Sequence, residues 1–128
     1  MNNVSSDNVT LVLPTKSEFV STARLTASSV ANRIGFNIDE VEDIKVAVSE
    51  VCNIILSRAG NELLQYKISF EIFKDKLEII FVGENKDLGC FKETLENEYG
   101  LYIMKALMDS VELCNENHSI VMTKRIGE

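Results

Sequence analysis

Apolar and polar residues alternate in some segments of the chain, and apolar residues recur every three or four positions in others. Alternation predicts strands, and the longer spacing predicts helices. Predicted strands cover 8–13, 63–73, 76–82, 111–117 and 119–126, and predicted helices cover 17–35, 39–60 and 99–110. The order β-α-α-β-β-α-β-β predicts an α+β fold: a two-layer α/β sandwich whose mixed, mostly antiparallel sheet is covered on one face by three helices.

The second predicted helix has the clearest pattern. Apolar residues recur at positions that form one core-facing stripe, namely Val41, Ile44, Val48, Val51 and Ile55. Asp39 is followed three residues later by Glu42, a capping-box spacing that predicts Asp39 as the N-cap. Glu50 and Ile54 lie about 40° apart around the helix axis, together at the edge of the stripe. Glu50 is therefore either a solvated carboxylate at a helix edge or a residue with a chemical role.

Composition narrows the possible functions. The chain has 128 residues and a net charge of −7, which fits one domain over 1–128. It has no clustered basic patch, which argues against direct nucleic-acid binding and favours a protein partner with a basic surface. No apolar run is long enough to cross a membrane, and the N-terminus does not resemble a secretion signal. We therefore expect a cytoplasmic protein.

The cysteines and the single histidine predict little chemistry. Cys52, Cys90 and Cys114 are far apart, and their odd number argues against a disulfide framework. Small buried apolar residues are the favoured interpretation of all three. His118 is the only histidine, so neither a His-based metal cluster nor a Ser/His triad is expected.

Three segments together resemble the anti-sigma-factor and switch-protein serine kinase family of the histidine-kinase-like ATPase superfamily. They are ARLTASSVANRIGF (23–36), FNIDEVEDIKVAVSEVC (36–52) and YGLYIMKALMDSVEL (99–113). The resemblance covers roughly residues 8–126, and the middle segment is the most specific. It implies the fold of that superfamily, ATP and Mg²⁺ as cofactors of a functional site, and a homodimer. The implied partners are a sigma factor and/or a small anti-anti-sigma switch protein.

The family pattern E-x-x-x-N falls on the second helix. In the family, the glutamate is the general base for the attacking hydroxyl, and the asparagine coordinates the magnesium ion of ATP. Glu50 occupies the first position and Ile54 the second. The alkyl side chain of isoleucine has no lone pair for a cation that requires oxygen ligands. Asn53 is adjacent, but it lies 100° around the helix and needs a register change to substitute.

The positions that resemble the family's adenine site have also changed. The family places an aspartate that reads the adenine amino group after the second long strand, with a glycine two residues later. In this chain Gly83 and Asn85 occupy these positions, and Glu84 is the nearest carboxylate that a one-residue shift could bring into place. The lid segment 86–97 contains Asp87, another candidate for a nucleotide-binding role.

The phosphate-binding turn is altered as well. The family has G-x-G before its third helix, and here Glu98 replaces the first glycine while Gly100 is retained. A carboxylate at position 98 repels phosphate groups rather than binding them. The glycine-threonine pair expected before the last strand falls at Asn117 and His118. The resemblance therefore implies a nucleotide site whose magnesium, adenine and phosphate contacts are all weakened.

Three functions remain open from the sequence. The favoured one is an anti-sigma-type regulatory protein with weakened or lost ATP binding, in which Arg24 occupies the family's partner-contacting arginine position. The alternative is an active ATP-dependent serine-protein kinase, with Asn53, Glu84 or Asp87 replacing the lost ligands. An unrelated α+β enzyme that uses its carboxylates or Cys52 is the third and has the least support.

Overall fold

A computed structural model describes residues 7–59, 64–84, 99–113 and 119–126 of the chain. Its strands are β1 (Asp7–Pro14), β2 (Gln65–Ile72), β3 (Lys76–Gly83), β4 (Ser110–Leu113) and β5 (Ile120–Arg125). Its α-helices are α1 (Val20–Ile34), which follows a 3₁₀ turn at Ser17–Phe19, α2 (Ile38–Ala59) and α3 (Tyr99–Leu107). The strands form a sheet in the order β1-β2-β3-β5-β4.

The predicted fold class and the predicted order of elements are confirmed. The sheet, which was predicted to be mixed and mostly antiparallel, is antiparallel in each described strand pairing. The ends of most elements differ from the predictions by one to four residues. The third helix, for example, ends at Leu107 rather than at Ser110, because Ser110 already pairs with Thr123 at the start of β4.

The core lies between the helices and one face of the sheet. Alternate residues of the central strands are buried there, such as the cross-strand pairs Ile68–Phe81 and Phe70–Ile79. The predicted apolar stripe of α2 is buried along its whole length, from Val41 to Ile55. Helix α2 also packs against both α1 and α3. These contacts fix the position of α2 from both sides, including the edge of the helix that carries Glu50 and Ile54.

The N-cap of α2 is Asn37, so the prediction of Asp39 was wrong. The Asn37 Oδ1 atom accepts a hydrogen bond of 2.8 Å from the backbone N–H of Glu40, and the Asn37 N–H donates one of 2.8 Å to Glu40 Oε1. These reciprocal bonds form a capping box two residues before the predicted one. Glu42 instead forms an ion pair of 3.1 Å with Lys45.

Gly35 and Lys124 donate hydrogen bonds to backbone carbonyl groups near the C-terminal ends of α1 and α3. Gly35 adopts a left-handed conformation with φ of 107°, and its N–H donates to the Ala31 carbonyl at 3.2 Å, which confirms the predicted end of α1. At the end of α3, the Lys124 ammonium donates a 2.6 Å hydrogen bond to the Leu107 carbonyl. Across the described ranges, no helix has the length and apolarity that a membrane span requires.

Candidate functional site

Glu50 and Ile54 lie together against the first turn of α3. A Cβ atom placed on Gly100 would stand 3.0 Å from Glu50 Oε1 and 3.0 Å from Ile54 Cδ1. The i, i+4 spacing therefore brings both side chains to one face of α2, as the helical period requires. Gly100, the retained glycine of the predicted phosphate-binding turn, is the residue that they share as a neighbour.

The two side chains differ in exposure and in chemistry. Ile54 is only 6% exposed and belongs to the apolar core, whereas Glu50 is partly exposed. The Glu50 carboxylate lies beside the second residue of α3, where the unpaired backbone N–H groups of a helix create a positive potential. The Glu50 carboxylate is therefore accessible to solvent. The Ile54 side chain is buried in the contact between α2 and α3.

Magnesium does not fit the described donor set in the way that the resemblance implies. Ile54 offers no oxygen atom at the position of the family's ligand. Asn53 is exposed and lies on another side of the helix. No group of three or more His, Cys, Asp or Glu side chains in the described ranges is arranged to hold a metal ion.

The end of β3 likewise has no carboxylate at the adenine-reading position. Gly83 is the last residue of the strand and pairs directly with Tyr66 of β2. Glu84 follows it with an exposed side chain, and its backbone N–H donates a 3.2 Å hydrogen bond to the Gln65 carbonyl. The other residues singled out from the sequence lie outside the described ranges: Asn85, Asp87, Cys90, Glu98, Cys114, Asn117 and His118.

Tyr66 of β2 and Cys52 of α2 form a buried pair in the core. Both residues have no exposed surface. Burial raises the pKa of the Cys52 thiol to about 11, and burial, followed by the Cys52 thiol, raises the pKa of Tyr66. The prediction that Cys52 is a small buried residue is confirmed, and a thiol with a raised pKa is a poor nucleophile. Sequence reasoning missed Tyr66, although its core-facing place in an alternating strand was a usable signal.

Arg24 is exposed on α1, away from the contact between Glu50 and Gly100. It lines a small cleft between α1 and α2 with Ser21, Leu25 and Lys45. Leu25 is 68% exposed. The cleft thus combines two cationic side chains with an exposed leucine in a chain whose net charge is −7. The candidate partner-binding residue Arg24 and the candidate nucleotide site therefore lie on different parts of the described structure.

Comparison with known proteins identifies the class. The family model described as "Histidine kinase-like ATPase domain" matches residues 13–124. The chain therefore belongs to the histidine kinase-like ATPase domain family, in agreement with the α+β fold.

Several proteins named serine-protein kinase RsbW are similar over most of the chain. The one from Bacillus subtilis (strain 168) is 36% identical over 96% of this chain and 88% of its own length. The one from Oceanobacillus iheyensis is 37% identical over 95% of this chain and 89% of its own length. The one from Halalkalibacterium halodurans is 35% identical over 92% of this chain and 83% of its own length. The sequence-based resemblance to a serine kinase family is confirmed.

Proposed function

We propose that this protein is an anti-sigma-type regulator that binds a sigma factor and/or a small anti-anti-sigma switch protein, with weakened or lost ATP binding. Membership of the ATPase domain family and the similarity to serine-protein kinases RsbW support the regulatory part of the proposal. A sigma factor acts on RNA polymerase, so the proposed partners imply a cytoplasmic location. The same family membership supports treating residues 1–128 as one domain.

The contact between Ile54 and Gly100 is the main support for the proposed loss of ATP binding. A magnesium ion bound to ATP requires oxygen ligands and neutralises part of the phosphate charge. Ile54 offers a methyl group at the ligand position and is itself 6% exposed, so solvent does not replace the missing oxygen there. Without the metal ion, the phosphates and the Glu50 carboxylate repel each other, and this repulsion lowers nucleotide affinity.

The other end of the site supports the same proposal. Gly83 has no side chain with which to accept a hydrogen bond from an adenine amino group. Glu84 is exposed, and its backbone N–H is already engaged by the Gln65 carbonyl. A shift of Glu84 into the position of Gly83 would require this hydrogen bond to break.

An active ATP-dependent serine-protein kinase is the second candidate. The place of Glu50 favours it, because the partly exposed carboxylate lies beside Gly100 of the predicted phosphate-binding turn, where a base for a serine hydroxyl would stand. The name shared by the relatives favours it as well. This candidate requires Asn53, Glu84 or Asp87 to supply the metal and adenine contacts. The exposed position of Asn53 on a different side of α2 argues against it.

We further propose that Arg24 contacts the protein partner and that the protein is a homodimer. The support for Arg24 is its exposure beside the exposed Leu25, because interface contacts commonly combine an arginine with an apolar neighbour. The support for a dimer is β1, which lies at one end of the described strand order and exposes Val12.

Calorimetric titration with ATP and Mg²⁺ tests the proposal, together with titration of a candidate sigma factor and of a candidate switch protein from the same organism. We expect no nucleotide binding at millimolar ATP, and partner binding that is unchanged by added nucleotide. Micromolar ATP binding, together with phosphate transfer to a serine of the switch protein that Glu50→Gln abolishes, would establish the kinase instead. Absence of binding to either partner would refute the regulatory role.

A further inference from the structure

The cleft between α1 and α2 carries two cations, of which the proposed function uses one. Arg24 and Leu25 of α1 line this cleft of about 190 Å³ together with Lys45 of α2. Arg24 occupies the position predicted to contact a protein partner, whereas no pattern in the sequence singled out Lys45. Because two helices contribute side chains to one cleft, an anionic group that enters it is attracted by both cations.

Lys45 is held in place before any partner binds. Its side chain is only 22% exposed, and its ammonium donates a hydrogen bond of 3.1 Å to Glu42 Oε2, one turn earlier on α2. The stem of a lysine commonly packs on its surroundings while the charged end reaches solvent. A side chain that is already ordered loses less conformational entropy on binding. Lys45 is therefore suited to a role in an interface.

The ion pair with Glu42 does not cancel the charge of Lys45. An ammonium group has three N–H donors, and the bond to Glu42 Oε2 uses one of them. The Glu42 side chain is largely exposed, and exposed ion pairs contribute little because solvent screens them. Glu42 should therefore weaken the attraction of Lys45 for a second carboxylate without abolishing it.

Leu25 adds an apolar contact beside the two cations. It is exposed, and it lies between this cleft and a second groove on the other side of α1. Protein interfaces commonly place an apolar centre next to arginine side chains. The surface therefore fits a protein segment that presents a carboxylate next to an apolar side chain.

We propose that Arg24, Leu25 and Lys45 form a docking site for an acidic segment of the switch protein, in which Arg24 and Lys45 together bind one carboxylate. The inference rests on the proposed function, which supplies the two partners. A sigma factor contacts promoter DNA, and surfaces that contact phosphate groups are basic. Two cations repel such a surface, which suits other parts of a chain whose net charge is −7. Charge complementarity therefore favours the switch protein in this cleft.

Calorimetry with a candidate switch protein from the same organism tests the role of Lys45. Lys45→Gln should weaken binding at least about fivefold at low salt, and less at about 0.5 M salt, where charges are screened. Lys45→Arg keeps the charge and should retain most of the affinity. Glu42→Gln removes the competing carboxylate and should strengthen binding about twofold. Unchanged binding by Lys45→Gln, or weaker binding by Glu42→Gln, would overturn the proposal.

Lys105→Gln is the matched control. Lys105 is an exposed lysine on α3 and does not line the cleft, so the variant makes the same change in net charge elsewhere. It should alter affinity less than about twofold, and a loss equal to that of Lys45→Gln would show an effect of net charge alone. Urea midpoints of unfolding for each variant exclude loss of folding as the cause.

A double-mutant cycle tests whether the two cations bind the same carboxylate. The cycle combines Arg24→Gln with Lys45→Gln. If both side chains contact one group, the loss of affinity in the double variant should be smaller than the product of the two single losses. Independent losses would show two separate contacts and overturn the shared site.

Titration of the same variants with a candidate sigma factor separates this inference from the proposed function. Lys45→Gln should change sigma-factor affinity less than about twofold, and an equal loss with both partners would overturn the choice of the switch protein. Binding of the wild type to the sigma factor alone would overturn this inference and leave the regulatory function standing. Absence of wild-type binding to both proteins would refute the regulatory function and, with it, this inference.

Discussion

Ile54 packs so closely on Gly100 that a Cβ atom at position 100 would stand 3.0 Å from Ile54 Cδ1. The contact joins α2 to the start of α3 with an alkyl group at the position where the family places its metal ligand. It is a packing contact, and in the proposed function it also stands in place of a metal ligand. Changes on either side of it should be detectable in stability as well as in ligand binding.

Gly100→Ala should lower the free energy of unfolding by about 1 kcal/mol, because the added methyl group overpacks the contact with Ile54. In an Ile54→Val background Cδ1, one of the two nearest atoms, is absent while Glu50 Oε1 remains, so the same change should have a smaller effect. Urea denaturation of the four proteins in this cycle measures the coupling. An identical effect of Gly100→Ala in both backgrounds would show that the contact is not strained by the methyl group.

Ile54→Asn should lower the free energy of unfolding by about 2–3 kcal/mol, because it removes buried apolar volume and buries an amide. We expect it to leave ATP affinity weaker than about 1 mM with Mg²⁺ present, since position 83 still has no carboxylate for the adenine amino group. Calorimetry checks the affinity, and Ile54→Val is the control that keeps the site apolar. Micromolar binding by Ile54→Asn alone would show that the metal ligand was the only missing contact.

Asn37→Ala should lower the free energy of unfolding by about 1 kcal/mol, because it removes the side-chain half of the capping box of α2. Asp39→Ala is the matched control. Asp39 lies in the first turn, and its loss should lower stability by only about 0.3–0.5 kcal/mol through the helix dipole. Urea denaturation distinguishes the two, and the reverse order would restore Asp39 as the cap.

Stability should fall as the pH rises from about 9 towards 11, because the folded protein retains the Cys52 proton that the unfolded chain loses. The contribution of Cys52 is fully present below pH 9 and is lost as the pH passes through the raised pKa of about 11. A shift of this size corresponds to about 2–3 kcal/mol. Urea denaturation across this pH range should give a smaller decline for Cys52→Ala.

Thiol labelling gives an independent check on Cys52. In a background with Cys90→Ser and Cys114→Ser, labelling by a thiol reagent at pH 8 should be slow in buffer and fast in denaturant. A rapid reaction of the folded protein would contradict the buried, raised-pKa thiol.

Arg24→Glu should weaken binding to the protein partner at least about tenfold, because a charged contact at the interface would become repulsive. Arg33→Glu is the matched control: Arg33 is also exposed on α1, but it lines a different groove, with Asp7 and Ile72. Its effect should be less than about threefold. Calorimetry with the sigma factor and the switch protein measures the affinity of both variants. An equal loss of affinity in the two variants would show that binding depends on the overall charge of α1 rather than on Arg24.

Periodicity predicted the fold well because it depends on local spacing. The α2 stripe and the alternating strands were identified correctly, since each residue's face follows from its place in one element. The N-cap was wrong because two overlapping pairs, Asn37–Glu40 and Asp39–Glu42, have the same spacing. The structure selects the first pair, and the buried residues Phe36 and Val41 then occupy the two sequence positions of a hydrophobic staple.

The sequence by itself determined which chemical groups the site lacks: the alkyl side chain of Ile54 and the absent side chain of Gly83 are properties of the residues. Only the tertiary structure decided which residues lie next to these two positions. The register between β2 and β3 places Tyr66 opposite Gly83, and the packing of α2 on α3 places Ile54 against Gly100. These contacts join residues that are far apart in the chain, so no local sequence pattern predicts them.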